Sequence, residues 1–547
     1  MLTTALTILP IHAPLEIGLF LGPVILYAEM HYRLRFLRGR LFKKLPEVIF
    51  DTPRRIQTDH LPVVLLIKDA HWFPIALREV SLTITSPFDP ALCEKQVFTE
   101  NMSVDRQWFT REYYLDVARY RDHLLNIDCT AIVECHGRHF QIRNDNYAGL
   151  SHAPFRVFID SEALPSENGW QWGDLHCHSS WTSDQVEFGL PPVALPDLAA
   201  AMGLSFCGLT EHSYDLDDQP DSWTKNDPQL RKWNEYRVEI ESVNAARKDF
   251  IIIPGEEASV DNGLGRNVHL AVLNNREFFR GSGDGLEKSL GFPSEFSYQQ
   301  ILQKADPRAL IFAAHPLTRP PFSQWLIARR GVWNRHDHHS RLDGWQILNG
   351  QDGREVIEGK NFWVSKLLAG SQSYLYAGND AHGNFNRFRQ IRLPLLNLYE
   401  HERQVFGEFL TGVRTDGNQG LDQLVARLKS GPVIVSNGPF INLVAMDTNR
   451  RRFEIGKTMQ EPPAALEITA LSSRHFGAIR RIKILAGDLL KRRETLCKTF
   501  EFIQGVNCQT ITLPVENQPS IGYFRAEIET QSAKFGLTNP IWFGKFK

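Results

Sequence analysis

Six histidines and two or three carboxylates recur along this chain at spacings suited to a multi-metal site. They fall in Asp174-Leu175-His176-Cys177-His178, Thr210-Glu211-His212, Gly255-Glu256-Glu257, Val268-His269-Leu270, Ala313-Ala314-His315-Pro316 and Gly378-Asn379-Asp380-Ala381-His382. Nitrogen and oxygen donors without thiolates suit Zn, Mn or Fe acting as Lewis acids in hydrolysis. Almost every motif closes a short apolar run, where a parallel α/β sheet or barrel presents its chemistry.

Strand periodicity gives these motifs geometry. Side chains alternate faces with period two, so His176 and His178 point one way while Cys177 points the other and drops out as a ligand. The same parity puts Asp380 and His382 together, with Ala381 behind. A lone HxH pair is more often polar surface or satisfied core, but an HxH, a DxH and three further strand-end histidines together outweigh that reading. Glu256 and Glu257 are adjacent, so an extended segment can turn only one toward metals; the residues alone do not choose between them, and the other would orient a histidine.

The elements that must position these residues follow from changes of period. Between about residues 60 and 160, short runs such as Val63-Val64-Leu65-Leu66-Ile67 and Val80-Ser81-Leu82-Thr83-Ile84 are separated by turn signals, which fits an immunoglobulin-like β-sandwich. From about 170, strands and helices alternate. Phe250-Ile251-Ile252-Ile253 and Leu310-Ile311-Phe312-Ala313 read as buried parallel strands, and 228–248 and 355–369 read as helices. Beyond about 450, alternation returns in Leu466-Glu467-Ile468-Thr469-Ala470 and Arg481-Ile482-Lys483-Ile484-Leu485, predicting a second small β-sandwich. The expected division is 1–45, 46–165, 166–445 and 446–547.

The motif series resembles the PHP (polymerase and histidinol phosphatase) superfamily, and within it the CehA/McbA-like branch of metallohydrolases. Gly431-Pro432-Val433-Ile434-Val435-Ser436-Asn437-Gly438-Pro439 and Leu537-Thr538-Asn539-Pro540-Ile541-Trp542 support that branch, and the resemblance covers roughly residues 170 to 547. It implies an α/β fold, a distorted (β/α)7 barrel, here flanked by two small β-sandwich domains, with two or three divalent ions (Zn, Mn or Fe). Carried over by position, one metal takes His176, His178, Glu257 and Asp380. A second shares Glu257, which the family's Gly-x-Glu spacing selects, and adds His269 and His315. A third takes His212 and His382, with Asp184 as its carboxylate. The chain departs from the family pattern in having Thr210-Glu211-His212 where an aspartate is usual, and Ser183-Asp184-Gln185 set one residue further from the HxH. Glu257, Asp380, His382 and His178 are the residues expected to carry catalysis.

Three divalent ions bring six positive charges and the three carboxylates return three, so a small anionic ester, above all a phosphate ester, is the favoured substrate. Metal coordination would lower the pKa of bound water to about 7 and supply a hydroxide nucleophile. Arg319, Arg387 and Arg389, just after site motifs, are candidates to clamp substrate oxygens. An ester or carbamate hydrolase with the same site is the first alternative; a non-catalytic metal-containing binding protein is the second. Arg335-His336-Asp337-His338-His339 reads as a surface loop or lid, and the tryptophans at 325, 333, 345 and 363 as packing.

The whole chain has 547 residues, which suits several domains, and a formal net charge of -2, which gives no sign of a nucleic-acid partner. Seven cysteines without a CxxC pair read as free thiols. Residues 2–28 are apolar over enough length to span a bilayer, at about 20 residues, although Pro10, Pro14, Pro23, His12 and Glu16 interrupt them. The basic stretch 31–40 behind them would hold the protein on the cytoplasmic face of a membrane.

Overall fold

The computed structural model describes residues 45–545 except 148–149, 183–188, 220–221, 282–293, 321–324, 327–328, 334–338, 351–352, 390–399, 416, 418–419 and 517. The apolar and basic N-terminal stretches lie outside them, and among the described residues no helix is long and apolar enough to cross a membrane.

Residues from Glu47 to Ile159 form a sandwich. One sheet holds Glu47–Asp51, His60–Lys68 and Trp108–Asp116; the other orders Arg55–Ile56, Phe155–Ile159, His123–Cys135, Ile75–Thr85 and Cys93–Val104. The unbroken apolar run in His60–Lys68 has a simple cause: Val63, Leu65 and Ile67 face the sandwich core, while Val64 and Leu66 pack into the core of the next domain. A strand covered on both faces needs no polar alternation.

The central sheet curls through Tyr374–Gly378, Gly344–Asn349, Leu310–Ala313, Asn267–Leu273, Ile251–Asp261, Phe206–His212 and Trp170–His178, in that order. The expected α/β (β/α)7 barrel is not what this sheet makes. Asn267–Leu273 runs antiparallel to both neighbours. Beyond Trp170–His178 the ladder continues, through Leu410–Arg414, Val433–Ser436 and Phe535–Thr538, into the strands of the C-terminal domain. Of the described residues, 47% lie in strands and 16% in helices, so the molecule is mostly β with a half-barrel at its centre.

The open edge has a local reason. Tyr374–Gly378 pairs with Gly344–Asn349 on one side only. On its outer side Asn539 Oδ1 accepts from Leu375 N at 2.7 Å and Asn539 Nδ2 donates to Leu375 O at 3.2 Å. Thr411 Oγ1 accepts from Ala377 N and donates to Ala377 O, both at 2.9 Å. Side chains therefore meet backbone groups that a closing ladder would have used.

The helix Arg231–Ala246 buries Trp233, Tyr236, Ile240 and Val243, one stripe at helical spacing. Its Tyr236 hydroxyl lies 3.0 Å from both Leu209 O and Gly255 O, tying together two strands that end in site motifs. The C-terminal sandwich begins at Phe440–Met446, which pairs with Ala465–Leu471, slightly earlier than the expected boundary. Its inward positions alternate as read: Leu466, Ile468, Ile482 and Ile484 are fully buried. Lys491 and Arg492 lie at the hairpin end between Ile479–Asp488 and Arg493–Val506.

Candidate metal centre

Sheet register brings the motifs together. His212 is the parallel partner of Glu257, and His178 of His382 on the short strand Ala381–His382. His269 lies one strand further, opposite Ser259. Three overlapping groups result, each with donor atoms within 4.8 Å of one another: His176, His178, Glu257 and Asp380; Glu257, His269 and His315; and His178, His212 and His382.

Glu257 is the hub. Its Oε1 lies 2.5 Å from His269 Nδ1, 2.8 Å from His315 Nε2 and 3.5 Å from His176 Nε2. Its Oε2 faces His212 Nε2 at 3.5 Å and His178 Nε2 at 3.7 Å. Asp380 Oδ1 is 3.1 Å from His178 Nε2 and 3.4 Å from His176 Nε2. Cys177 turns to the opposite face, its Sγ toward Gly208 O. Glu256 also faces away, accepting from Ser213 Oγ at 2.9 Å and Phe279 N at 3.0 Å.

The other nitrogens of the histidine rings are held from behind. His176 Nδ1 meets Gln346 Oε1 at 2.7 Å, His178 Nδ1 meets Thr182 Oγ1 at 3.2 Å, and His212 Nδ1 meets Tyr214 OH at 2.9 Å. Gln346 Nε2 donates to Asn349 Oδ1, whose Nδ2 reaches Asp380 Oδ2 at 3.3 Å, so one amide relay orients two members of the first group. Glu211, the departure from the family's aspartate, accepts from Ser179 and from the Thr182 hydroxyl, acting on His178 through Thr182. Asp174 accepts from His176 N, Asn379 Nδ2 and Gly407 N, pinning the HxH strand to the Asp380 turn. These partners carry no spacing signature; Asp174 and Glu211 lie inside the quoted motifs and Tyr214 two residues after His212, while Gln346, Asn349 and Thr182 give no signal in the sequence.

Two turns are held in uncommon backbone conformations. Asp380 has φ 53° and His315 φ 28°. Such residues cost about 1–3 kcal/mol each and persist where surrounding structure fixes them, often at functional sites. Gly378 is required by a close approach: a Cβ there would stand 2.5 Å from His176 N.

Electrostatics suit cation binding. Burial opposes charge on Glu257, yet His269 and His176 hold its carboxyl well below the usual range. Burial also opposes charge on Asp380, but His176 and His178 keep it well below as well. Burial, together with His382 and His212, drives His178 well below the ordinary histidine value, and burial lowers His315. On His176 burial is outweighed by Glu257 and Asp380, which raise it to about 9. Two ionised carboxylates among oriented imidazoles form the N/O donor set that Zn, Mn or Fe takes, with the outer hydrogen bonds such ligands need.

The remaining candidates end elsewhere. Asp184 lies outside the described residues, as do His336, Asp337 and His338 of the histidine-rich loop. Arg387 binds Glu400 Oε1 at 2.6 Å and the Pro154 carbonyl; Arg389 is buried against Phe50 O, Asp51 and Asp145. Both join the central domain to the N-terminal sandwich, which corrects their expected role as substrate clamps. Arg319 lines a groove with Glu358, Asn361 and Phe362. Trp333, Trp345 and Trp363 are buried packing residues.

The sequence matches no family model and no curated protein. Among solved structures, it is similar over 91% of its length to a β-glucuronidase of Bacteroides uniformis, at 10% identity and TM-score 0.18, and spans 61% of that chain. A putative β-galactosidase from Bacteroides fragilis matches at 9% identity and TM-score 0.18, covering 91% of this chain and 73% of that one. The exo-chitosanase CsxA of Amycolatopsis orientalis matches at 9% identity and TM-score 0.21, covering 92% and 64%. Likeness this distant carries no argument about fold or activity.

Proposed function

We propose that this protein is a metal-dependent hydrolase of ester bonds, with phosphate esters the favoured substrates, in keeping with the resemblance of its motifs to PHP-type, CehA/McbA-like metallohydrolases. The observation that carries the proposal is Glu257, whose two carboxylate oxygens face different histidine groups while a second ionised carboxylate, Asp380, stands beside the HxH pair. His176, His178, Glu257 and Asp380 would hold one ion, Glu257, His269 and His315 a second, and His178, His212 and His382 the edge of a third. Divalent ions there would supply Lewis-acid activation of water and of the scissile bond.

The chain's own residues set where substrate approaches. His176 and His178 are fully enclosed, whereas the side chains of Asp380, His212 and His382 are 17%, 12% and 11% exposed, so the site is open past these three residues. Gln346, Thr182 and Tyr214 hold the imidazoles so that their Nε2 atoms point inward, which limits reorganisation when a charged ester arrives.

Protein purified without chelator should contain two or three equivalents of Zn, Mn or Fe per chain, lose hydrolysis in EDTA and regain it with added metal. Paired chromogenic phosphate and carboxylate esters then separate phosphoesterase from ester or carbamate hydrolase. Full activity in a metal-free preparation would refute the proposal.

A further inference from the structure

A cavity of about 650 Å³ lies where the three domains meet, and none of the candidate metal ligands lines it. Its size is within the roughly 300–1,000 Å³ typical of small-molecule sites, which favour domain boundaries. Strand parity supplies one wall. On Phe155–Ile159 the side chains of Phe155, Val157 and Ile159 fill the N-terminal sandwich core, so Arg156 and Phe158 take the other face and line the cavity, with Leu124 opposite Phe158 on the neighbouring strand. The C-terminal sandwich brings Phe476 and His475, and the His475 ring stacks on Phe158 with centroids 4.5 Å apart. Desolvation and the Arg55 charge push His475 down to about 4, so at neutral pH it adds a flat face and no charge. The central domain adds Phe406, on a segment held from behind: Phe406 N donates to Asn384 O at 2.8 Å and Gly407 N to Asp174 Oδ2 at 3.1 Å.

The charges on the wall do not cancel. Arg54 pairs with Glu402 at 2.9 Å, Arg387 with Glu400 at 2.6 Å and Lys534 with Glu408 at 3.1 Å. Arg55 turns to Asp160 at 2.8 Å and lies over the Phe476 ring. Arg156 is exposed, and among the described residues no carboxylate pairs with it. A permanent cation thus stands beside an aromatic and aliphatic wall. We propose that this cavity binds a small organic acid, its carboxylate at Arg156 and its aromatic or aliphatic body against Phe158, His475 and Phe476. The guanidinium fork takes a carboxylate through two parallel hydrogen bonds, and a planar body stacks on the rings. A cationic ligand would meet repulsion at Arg156, and a neutral one would leave that charge without a partner. The site stands apart from the metal centre and needs no ion.

The test uses the full chain and calorimetry with two probes of the same shape, cinnamate and the uncharged cinnamamide. The acid should bind about tenfold more tightly than the amide, as one charge-assisted pair allows. Arg156→Met should abolish that preference, weakening the acid about tenfold and leaving the amide as it was. Leu124→Trp, which adds bulk to the apolar wall, should weaken both, and Arg319→Met, in a separate groove, should bind like the parent. Thermal midpoints and elemental analysis check that each variant is folded and metallated as the parent is. An acid held by metal ions instead would keep its preference in Arg156→Met, and that result would overturn the proposal. Equal binding of acid and amide by the parent, or no measurable binding of either, would overturn it too. If Leu124→Trp does not fold, the Arg156→Met comparison decides alone.

Discussion

At the scale of single residues, adjacent glutamates have opposite fates. Glu257 is central to two candidate ion positions, whereas Glu256 is raised to about 8 by burial and carries its proton at neutral pH. Glu256→Gln should therefore reduce activity by less than about tenfold, and Glu257→Gln by more than the roughly 10–100-fold typical of an outer hydrogen-bond partner. Elemental analysis beside initial rates checks this; equal losses would mean that the carboxylates are misassigned. His176, raised to about 9, must release its proton before its Nε2 can bind an ion. Apparent metal affinity should rise about tenfold per pH unit between pH 7 and 9 and then level off, measured by competition with a chromogenic chelator. A flat profile would contradict it. That His176 lies with His178, and Asp380 with His382, was readable because parity along a strand decides which way a side chain points; the choice of Glu257 over Glu256 came only from the spacing of the family that the motifs resemble. The arginines were not: a guanidinium on a long stem goes where tertiary structure sends it, so Arg387 and Arg389 join domains while Arg330 reaches His269. Gln346 and Asn349 were equally silent, since amides occur everywhere and acquire meaning only from what lies opposite.

At the scale of elements, apolar runs located the strands but not their directions. Ile251–Asp261 and Leu310–Ala313 are buried strands as expected, yet Asn267–Leu273 between them runs antiparallel to both. Burial on two faces gives the same continuous apolar text either way. The alternating strands and helices fit a parallel α/β sheet or barrel and the family resemblance implied a (β/α)7 barrel, but closure depends on what covers the last edge, and Thr411 and Asn539 cover it from distant positions. The Gly378 approach makes this junction testable. Gly378→Ala must push His176 aside, at about 1–3 kcal/mol if the contact behaves like an overpacked core. It should lower the thermal midpoint and release metal together; a variant that keeps both would show that the strands can part without disturbing the HxH pair.

At the scale of the whole molecule, one hydrogen-bonded sheet joins the centre to the C-terminal sandwich, while the N-terminal sandwich attaches through Arg387, Arg389 and the Val64 and Leu66 face of His60–Lys68. Every described ligand lies beyond residue 170, so a chain starting at residue 45 should keep its full metal complement. If residues 2–28 anchor the protein, only the longer chain will stay with membranes through a high-salt wash, because salt screens basic residues but not buried apolar surface. A full-length chain that is freely soluble would remove the anchor.

Asn539, 164 residues after Leu375, supplies both hydrogen bonds of that residue, on the strand leading to Asp380. Synthesis runs from the N-terminus, so this support emerges after every described candidate ligand. A nascent chain whose Asn539 is still inside the ribosome has every described candidate ligand but not the edge that steadies Asp380, so the centre should hold a metal less well until that segment has emerged. Stalled chains ending before and after residue 539, each given a long enough exposed tail and tested for metal retention, should differ sharply. Equal retention would show that the centre matures without its final segment.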